Sequence, residues 1–95
     1  MSRDRAAVEV AAGKLISSIQ HEWSAEAGTE QGQITEHVIG LAHYLLKAAK
    51  TGTLQYVLGT GNIAEYLGPL WVKRHPAVTP AIAKLESLLV PEQHA

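Results

Sequence analysis

The sequence predicts an all-α fold, with residues 1–95 forming a single domain built as a compact bundle of four or five helices. Apolar residues recur every three or four positions in the first half of the chain, which is the period of an amphipathic helix. Gly and Pro residues separate the periodic stretches, at positions where they end or begin helices. A hydrophobic fraction of 46% with 18% charged residues suffices for one modest core.

The first predicted helix spans Val8 to Trp23. Gly28 predicts the end of this element, and Thr29 predicts the start of the next one. The apolar residues of the helix are separated by four, three, four and four positions, so that they share one face: Val8, Ala12, Leu15, Ile19 and Trp23.

The second predicted helix runs from about Glu30 to Lys50, and Gly52 closes it. A short turn joins it to the first helix, so we expect the two long helices to pack antiparallel. Its predicted inward positions are Ile34, Val38, Leu41, Leu45 and Ala48. Further apolar residues widen this stripe to about half of the helix circumference, leaving surplus apolar surface that a partner could cover.

The second half of the chain predicts shorter helices. Residues 53–58 are compatible with a helix or a strand, and we favour a helix. Asn62 followed by Glu65 has the spacing of a capping box, while Pro69 should break the helix that follows. The predicted inward residues of this element are Ile63, Leu67 and Leu70.

The last helix is predicted to begin at Thr79, with its side chain as the cap and Pro80 at the first helical position. Pro91 should end it, and residues 1–5 and 91–95 should be short frayed ends. Its predicted buried stripe is Ile82, Leu85 and Leu89.

Composition excludes several classes of chemistry. The chain has no Cys, so it can form no disulfide, thiolate zinc site or iron–sulfur cluster. Val38 to Leu46, the longest nearly apolar stretch, is far shorter than the ~20 residues that span a bilayer. No secretion signal is evident. We therefore expect a cytoplasmic protein without a membrane segment and without a cofactor.

The histidines do not have the spacing of a metal site. His21-Glu22 lacks the second His that a zinc-protease helix requires, and His37 and His43 fall on different sides of one helix. The serines and carboxylates show no nucleophile elbow, paired-acid spacing or triad context. The sequence thus predicts no metal ligand and no catalytic residue, and the protein is expected not to be an enzyme.

Gly59-Thr60-Gly61-Asn62-Ile63-Ala64 has the letters of a dinucleotide-binding loop, but that fingerprint requires a preceding strand and an unbroken helix. A glycine turn leading into a capped helix is the simpler interpretation. Binding of a simple anion by the amides of residues 59–62 is a further hypothesis that requires no particular fold.

The stretch that follows this turn combines aromatic residues with the basic run Lys73-Arg74-His75. Aromatic side chains with a charged rim are typical of protein interfaces, although Trp71 could equally be a core residue. The hypothetical partner-binding residues are Tyr66, Leu70, Trp71, Lys73, Arg74 and His75.

The same region resembles the first half of a helix-turn-helix, with a glycine at the turn and cations that could meet phosphates. A formal net charge of −1 gives no general attraction to nucleic acid. We therefore expect a small non-enzymatic helical interaction or regulatory protein that binds a protein partner or itself as a homodimer. The alternative is a nucleic-acid-binding regulator that uses residues 63–75.

Overall fold

The computed structural model describes residues 5–59 and 61–89, and this part of the chain forms six α-helices, one 3-10 turn and no strand. The all-α prediction is confirmed. Residues 91–95, including the predicted stop at Pro91, lie outside the described residues, whereas Arg5 is the first residue of a helix. The elements in order are α1 (Arg5–Glu26), α2 (Glu30–Thr51), α3 (Leu54–Leu58), α4 (Ile63–Leu67), α5 (Pro69–Arg74), the 3-10 turn (Pro76–Val78) and α6 (Thr79–Leu89).

The first long helix, α1 (Arg5–Glu26), extends three residues beyond each end of the predicted Val8–Trp23, whereas α2 begins and ends where local chemistry dictates. Thr29 is the N-cap of α2, and its hydroxyl accepts the Gly32 N–H at 3.0 Å. Gly52 ends α2 in the left-handed conformation with φ of 75°, from which its N–H reaches the carbonyls of Ala48 and Ala49. Both boundaries agree with the prediction.

The short helices also follow local signals. Residues 54–58 are helical, as favoured, and Asn62 with Glu65 forms the predicted capping box. Gly68 and Pro69 divide the next stretch into α4 and α5, as expected of a proline at the first helical position. The predicted cap at Thr79 is wrong, because the 3-10 turn leads directly into α6 and gives Thr79 a helical backbone.

The core lies between α1 and α2, and the C-terminal helices cover it. α6 packs mainly on α1, while α4 lies against α2. Fully buried side chains at its centre include Leu15, Ile19, Leu45, Ile63, Val78 and Leu85.

Five positions of the predicted apolar stripes are not fully buried. Trp23 on α1 is 36% exposed, and Leu41 on α2 is only partly buried. Ile34 is 51% exposed and Thr35 is buried instead, because the buried stripe of α2 runs through residues 35, 38, 42, 45 and 49. Leu70 is 74% exposed, since the break at Gly68 turns Trp71 inward in its place. Leu89 near the end of α6 is only partly buried.

Candidate functional site

The six predicted partner-binding residues fall into two groups in the structure. Leu70, Lys73 and Arg74 are exposed on α5, and Tyr66 on α4 is half-buried. Trp71 and His75 point into the protein and are 5% and 4% exposed. The structure therefore places the predicted aromatic anchor in the core and leaves its neighbours on the surface.

Trp71 and His75 belong to a buried set of polar side chains that we call the corner cluster, which also contains Glu26 and Thr35. The Trp71 indole N–H donates to Thr35 Oγ1 at 2.9 Å, and the Thr35 hydroxyl donates to Glu26 Oε1 at 2.6 Å. The His75 Nε2 atom lies 2.7 Å from Glu26 Oε2. Four side chains from α1, α2 and the end of α5 are thus joined in one hydrogen-bonded chain.

Both ring nitrogens of His75 are engaged. Nδ1 lies 2.7 Å from the Trp71 carbonyl oxygen, which can only accept, so this nitrogen carries a proton and donates. Nε2 donates to Glu26 Oε2 when that carboxyl is ionised. The imidazole also stacks on the Trp71 indole with centroids 4.2 Å apart and planes 18° apart. The ring is fixed in position and orientation.

The environment of Glu26 favours its ionised form. Burial raises the pKa of this carboxyl, but the hydrogen bonds from Thr35 and His75 and the His75 charge lower it by more, so that it lies below the usual 4.5. The side chain is 22% exposed, so water reaches part of it. The cluster therefore pairs the Glu26 carboxylate with a His75 ring whose two nitrogens each face an oxygen acceptor.

The turn between α1 and α2 holds Glu26 in place. The Thr29 hydroxyl donates to the Glu26 carbonyl oxygen at 2.6 Å. Gly32 lies so close to this corner that a Cβ on it would clash with the same carbonyl oxygen. A glycine is required here by close backbone approach, because a clash with main-chain atoms cannot be relieved by a side-chain rotation.

The polar groups of this arrangement are bonded to one another and link α5 to the two long helices. Among the described residues every buried side-chain nitrogen and oxygen has a hydrogen-bond partner. His75 has no free nitrogen that could act as a base while its two bonds are made. No group of three or more metal-ligating side chains occurs within residues 5–59 and 61–89. The cluster positions α5 against the corner of α1 and α2.

The surface next to the cluster is apolar. α4 packs against α2, Tyr44 of α2 acts electrostatically on Tyr66 of α4, and Trp71 of α5 is hydrogen-bonded to Thr35 of α2. Burial and the neighbouring Tyr44 raise the pKa of Tyr66 above its usual 10.0. We use the name seam for four apolar or aromatic side chains on α2, α4 and α5 that are exposed or half-buried: Ile34, Tyr44, Tyr66 and Leu70.

The side chains of the seam are unusually exposed for their size. Ile34 and Leu70, which each precede a member of the Thr35–Trp71 pair, are 51% and 74% exposed, and Tyr44 is 52% exposed. Lys73 and Arg74 follow in the last turn of α5 and are exposed as well. The seam therefore combines large apolar groups with a cationic edge.

Two amides of the glycine turn, those of the described residues Gly61 and Asn62, are hydrogen-bonded within the protein. The Asn62 side chain accepts the Glu65 N–H at 2.8 Å, and Glu65 accepts the Asn62 N–H at 3.2 Å. Glu86 of α6 accepts the Ile63 N–H at 2.8 Å, and the Gly61 N–H bonds to Leu58. Two of the amides that the anion hypothesis invokes thus already have acceptors in the protein, and carboxylates of Glu65 and Glu86 lie at the start of α4.

Two members of the corner cluster, Glu26 and Thr35, were not identified from the sequence. Thr35 lies on the buried stripe of α2. Because Ile34 beside it is more apolar, the prediction placed Ile34 on the stripe instead. Glu26 makes its contact with His75 across 49 positions of the chain, a relation that local spacing does not encode. The one signal that the sequence offered for the cluster was the position of Thr35, a polar residue whose spacing places it among the buried residues of α2.

Comparisons of the chain with protein-family models, with curated proteins and with solved structures found no match. Of the helices that the structure describes, none combines the length and the apolar character needed to cross a bilayer.

Proposed function

We propose that this chain is a small cytoplasmic, non-enzymatic interaction protein that binds a protein partner through the seam. The observation that carries the proposal is the exposure of three large apolar or aromatic side chains, Ile34, Tyr44 and Leu70, at 51%, 52% and 74%. Grouped apolar and aromatic side chains with a polar rim are typical of protein interfaces. The corner cluster supports this role, because it fixes the backbone that presents Leu70.

The charge of the seam favours a different protein over a second copy of the chain. Lys73 and Arg74 lie at its edge, in the last turn of α5. A twofold contact centred on this edge would bring these cations towards their own copies, whereas a partner with carboxylates around an apolar contact would pair with them. We therefore propose an acidic-rimmed protein partner, with the homodimer as the competing form.

Site-specific photo-crosslinking in a lysate of the source cells tests this proposal. A photoreactive residue is placed at Leu70 or Tyr44, and at exposed Ser17 on α1 as the control. A protein adduct should form from the first two positions and survive nuclease, with a yield much lower from Ser17. Equal yields from all three positions, or adducts with the chain itself only, would contradict the proposal.

The alternative is binding of nucleic acid through residues 63–75, and the exposure of Lys73 and Arg74 favours it. α5 has only six residues, and Trp71 within it points inward, which leaves little surface for a recognition helix. If this alternative holds, neutralising both cations should reduce the salt dependence of DNA binding by about two units of slope. An unchanged slope would remove these residues from such a site.

A further inference from the structure

An open groove of about 380 Å³ lies between α1 and α6 and shares no residue with the seam. Its floor and walls are formed largely by small and branched apolar side chains, among them Ala7, Val10 and Leu88. Lys14 and Lys84 complete the lining, one from each helix. Like the seam, the groove combines apolar surface with cations.

The two lysines lie at the same end of the groove. The His75–Glu26 contact places the start of the 3-10 turn and α6 beside the end of α1, so α6 returns antiparallel to α1. On α1 the lysine follows Val10 by four positions, and on α6 it precedes Leu88 by four positions. In an antiparallel pair this order brings Lys14 and Lys84 together and leaves Val10 and Leu88 at the other end.

No carboxylate lines this groove among the described residues. Glu86, the one acidic residue of α6, bonds to the Ile63 N–H on another face of that helix. The cations at the basic end therefore lack an acidic neighbour within the groove, and a ligand that brings carboxylates to this end would be electrostatically complementary.

The depth of the groove decides the kind of ligand. Small molecules are held in concave sites that bury most of their surface. Val10 in the lining is 57% exposed, so a small ligand above it would remain largely in water. A helix laid along the groove would instead cover the apolar end with its own side chains, which is a recurrent mode of peptide recognition.

We propose that the α1–α6 groove binds an amphipathic helix of a partner protein. Apolar side chains of this helix cover Val10 and Leu88, and carboxylates one turn further along pair with Lys14 and Lys84. This surface is independent of the seam, so the chain can hold two protein segments at once.

The test is an NMR titration of the ¹⁵N-labelled full chain with a synthetic helical peptide whose apolar face is Leu and Ala and whose neighbouring charges are Glu. Saturable binding with Kd below about 1 mM and shifts centred on Val10, Lys14, Lys84 and Leu88 are expected. A charge-reversed peptide, with Lys in place of each Glu, should not bind the groove.

Two variants distinguish binding of the peptide in the groove from a general attraction of the peptide to positive charge. The double substitution Lys14→Ala/Lys84→Ala should weaken binding about tenfold, which is the sum of two partly exposed ion pairs. The matched control Lys47→Ala/Lys50→Ala removes the same charge from exposed positions on α2, outside the groove and the seam, and should leave Kd unchanged.

Several results would overturn the proposal: equal loss in the control variant, binding of the charge-reversed peptide, or shifts confined to other surfaces. Saturable binding of decanoate in the groove without binding of the peptide would assign it to small anionic amphiphiles instead. Concentration-dependent shifts of the groove residues without any peptide would assign it to a second copy. None of these outcomes depends on crosslinking at Leu70, so the two proposals fail separately.

Discussion

Two turns of this protein differ in whether local or long-range hydrogen bonds stabilise them. The glycine turn before α4 is closed mainly by residues within a few positions of one another, with Asn62 and Glu65 exchanging hydrogen bonds. The corner between α1 and α2 has a local cap at Thr29, but its acidic residue Glu26 is bound to His75, 49 positions away. Local signals therefore define the first turn, whereas the second depends on the finished fold.

The difference has a consequence for function. The corner cluster connects α5 to the two long helices, and α5 presents Leu70 with the cations that follow it. A substitution in the corner should thus alter the seam residue on α5, while a substitution in the glycine turn should affect only residues near that turn. The predictions below compare the two turns, beginning with the largest expected effect.

Gly32→Ala should lower the free energy of unfolding by about 3 kcal/mol, because the added methyl group meets the Glu26 carbonyl oxygen and neither backbone can yield without moving the corner. Gly40 in the same helix has open space around its Cβ position, so Gly40→Ala should raise the free energy of unfolding by about 0.5–1 kcal/mol. Urea unfolding followed by circular dichroism measures both. Equal effects of the two substitutions would show that the corner is not tightly packed.

Glu26→Ala should lower the free energy of unfolding by about 2 kcal/mol, since it leaves the buried His75 ring and the Thr35 hydroxyl without their acceptor. Glu65→Ala is the matched control in the glycine turn. It removes a carboxylate that accepts a single exposed amide hydrogen bond, so its expected effect is below about 1 kcal/mol. The comparison fails if the control is as damaging as the corner substitution.

Asn62→Ala should lower the free energy of unfolding by about 1 kcal/mol, the usual effect of removing an N-cap side chain. Amide resonances of Leu70 and Lys73 should keep their chemical shifts in this variant, whereas Glu26→Ala should move them. Movement of the α5 resonances in the Asn62 variant would mean that the glycine turn is not a local unit.

Acid should weaken the corner selectively. Because the pKa of Glu26 is lowered in the folded protein, its contribution to stability is complete above pH 4.5 and is lost as pH falls through the folded pKa. Glu26→Gln cannot titrate, so its free energy of unfolding should fall less steeply than that of the wild type below pH 4.5. Parallel curves for the two proteins would show that Glu26 is not held by the cluster.

The elements that could be predicted from the sequence are those with local causes. Thr29, Gly52, Asn62 and Pro69 act on backbone groups within one helical turn, and each marks the boundary expected of it. Such residues show their roles in the sequence because the atoms they bind are their near neighbours.

The candidate site was predicted less completely, because its residues meet only in the folded chain. Leu70 and Trp71 are adjacent apolar residues, and only the angle that Gly68 and Pro69 set between the two helices decides which one is buried. Ile34 and Thr35 present the same ambiguity, which a hydrogen bond from Trp71 resolves in favour of the polar residue. Helical spacing selects Leu70 in the first pair and hydrophobicity selects Ile34 in the second, and each is the exposed member.

A double-mutant cycle between Glu26 and His75 tests most directly whether the long-range cluster fixes α5. The free energies of unfolding of Glu26→Gln, His75→Gln and the double variant are measured at neutral pH. If the two side chains act as one unit, the coupling energy should be about 1 kcal/mol or more. Effects that add within about 0.3–0.5 kcal/mol would contradict the account, because they would show that the two residues stabilise the fold independently.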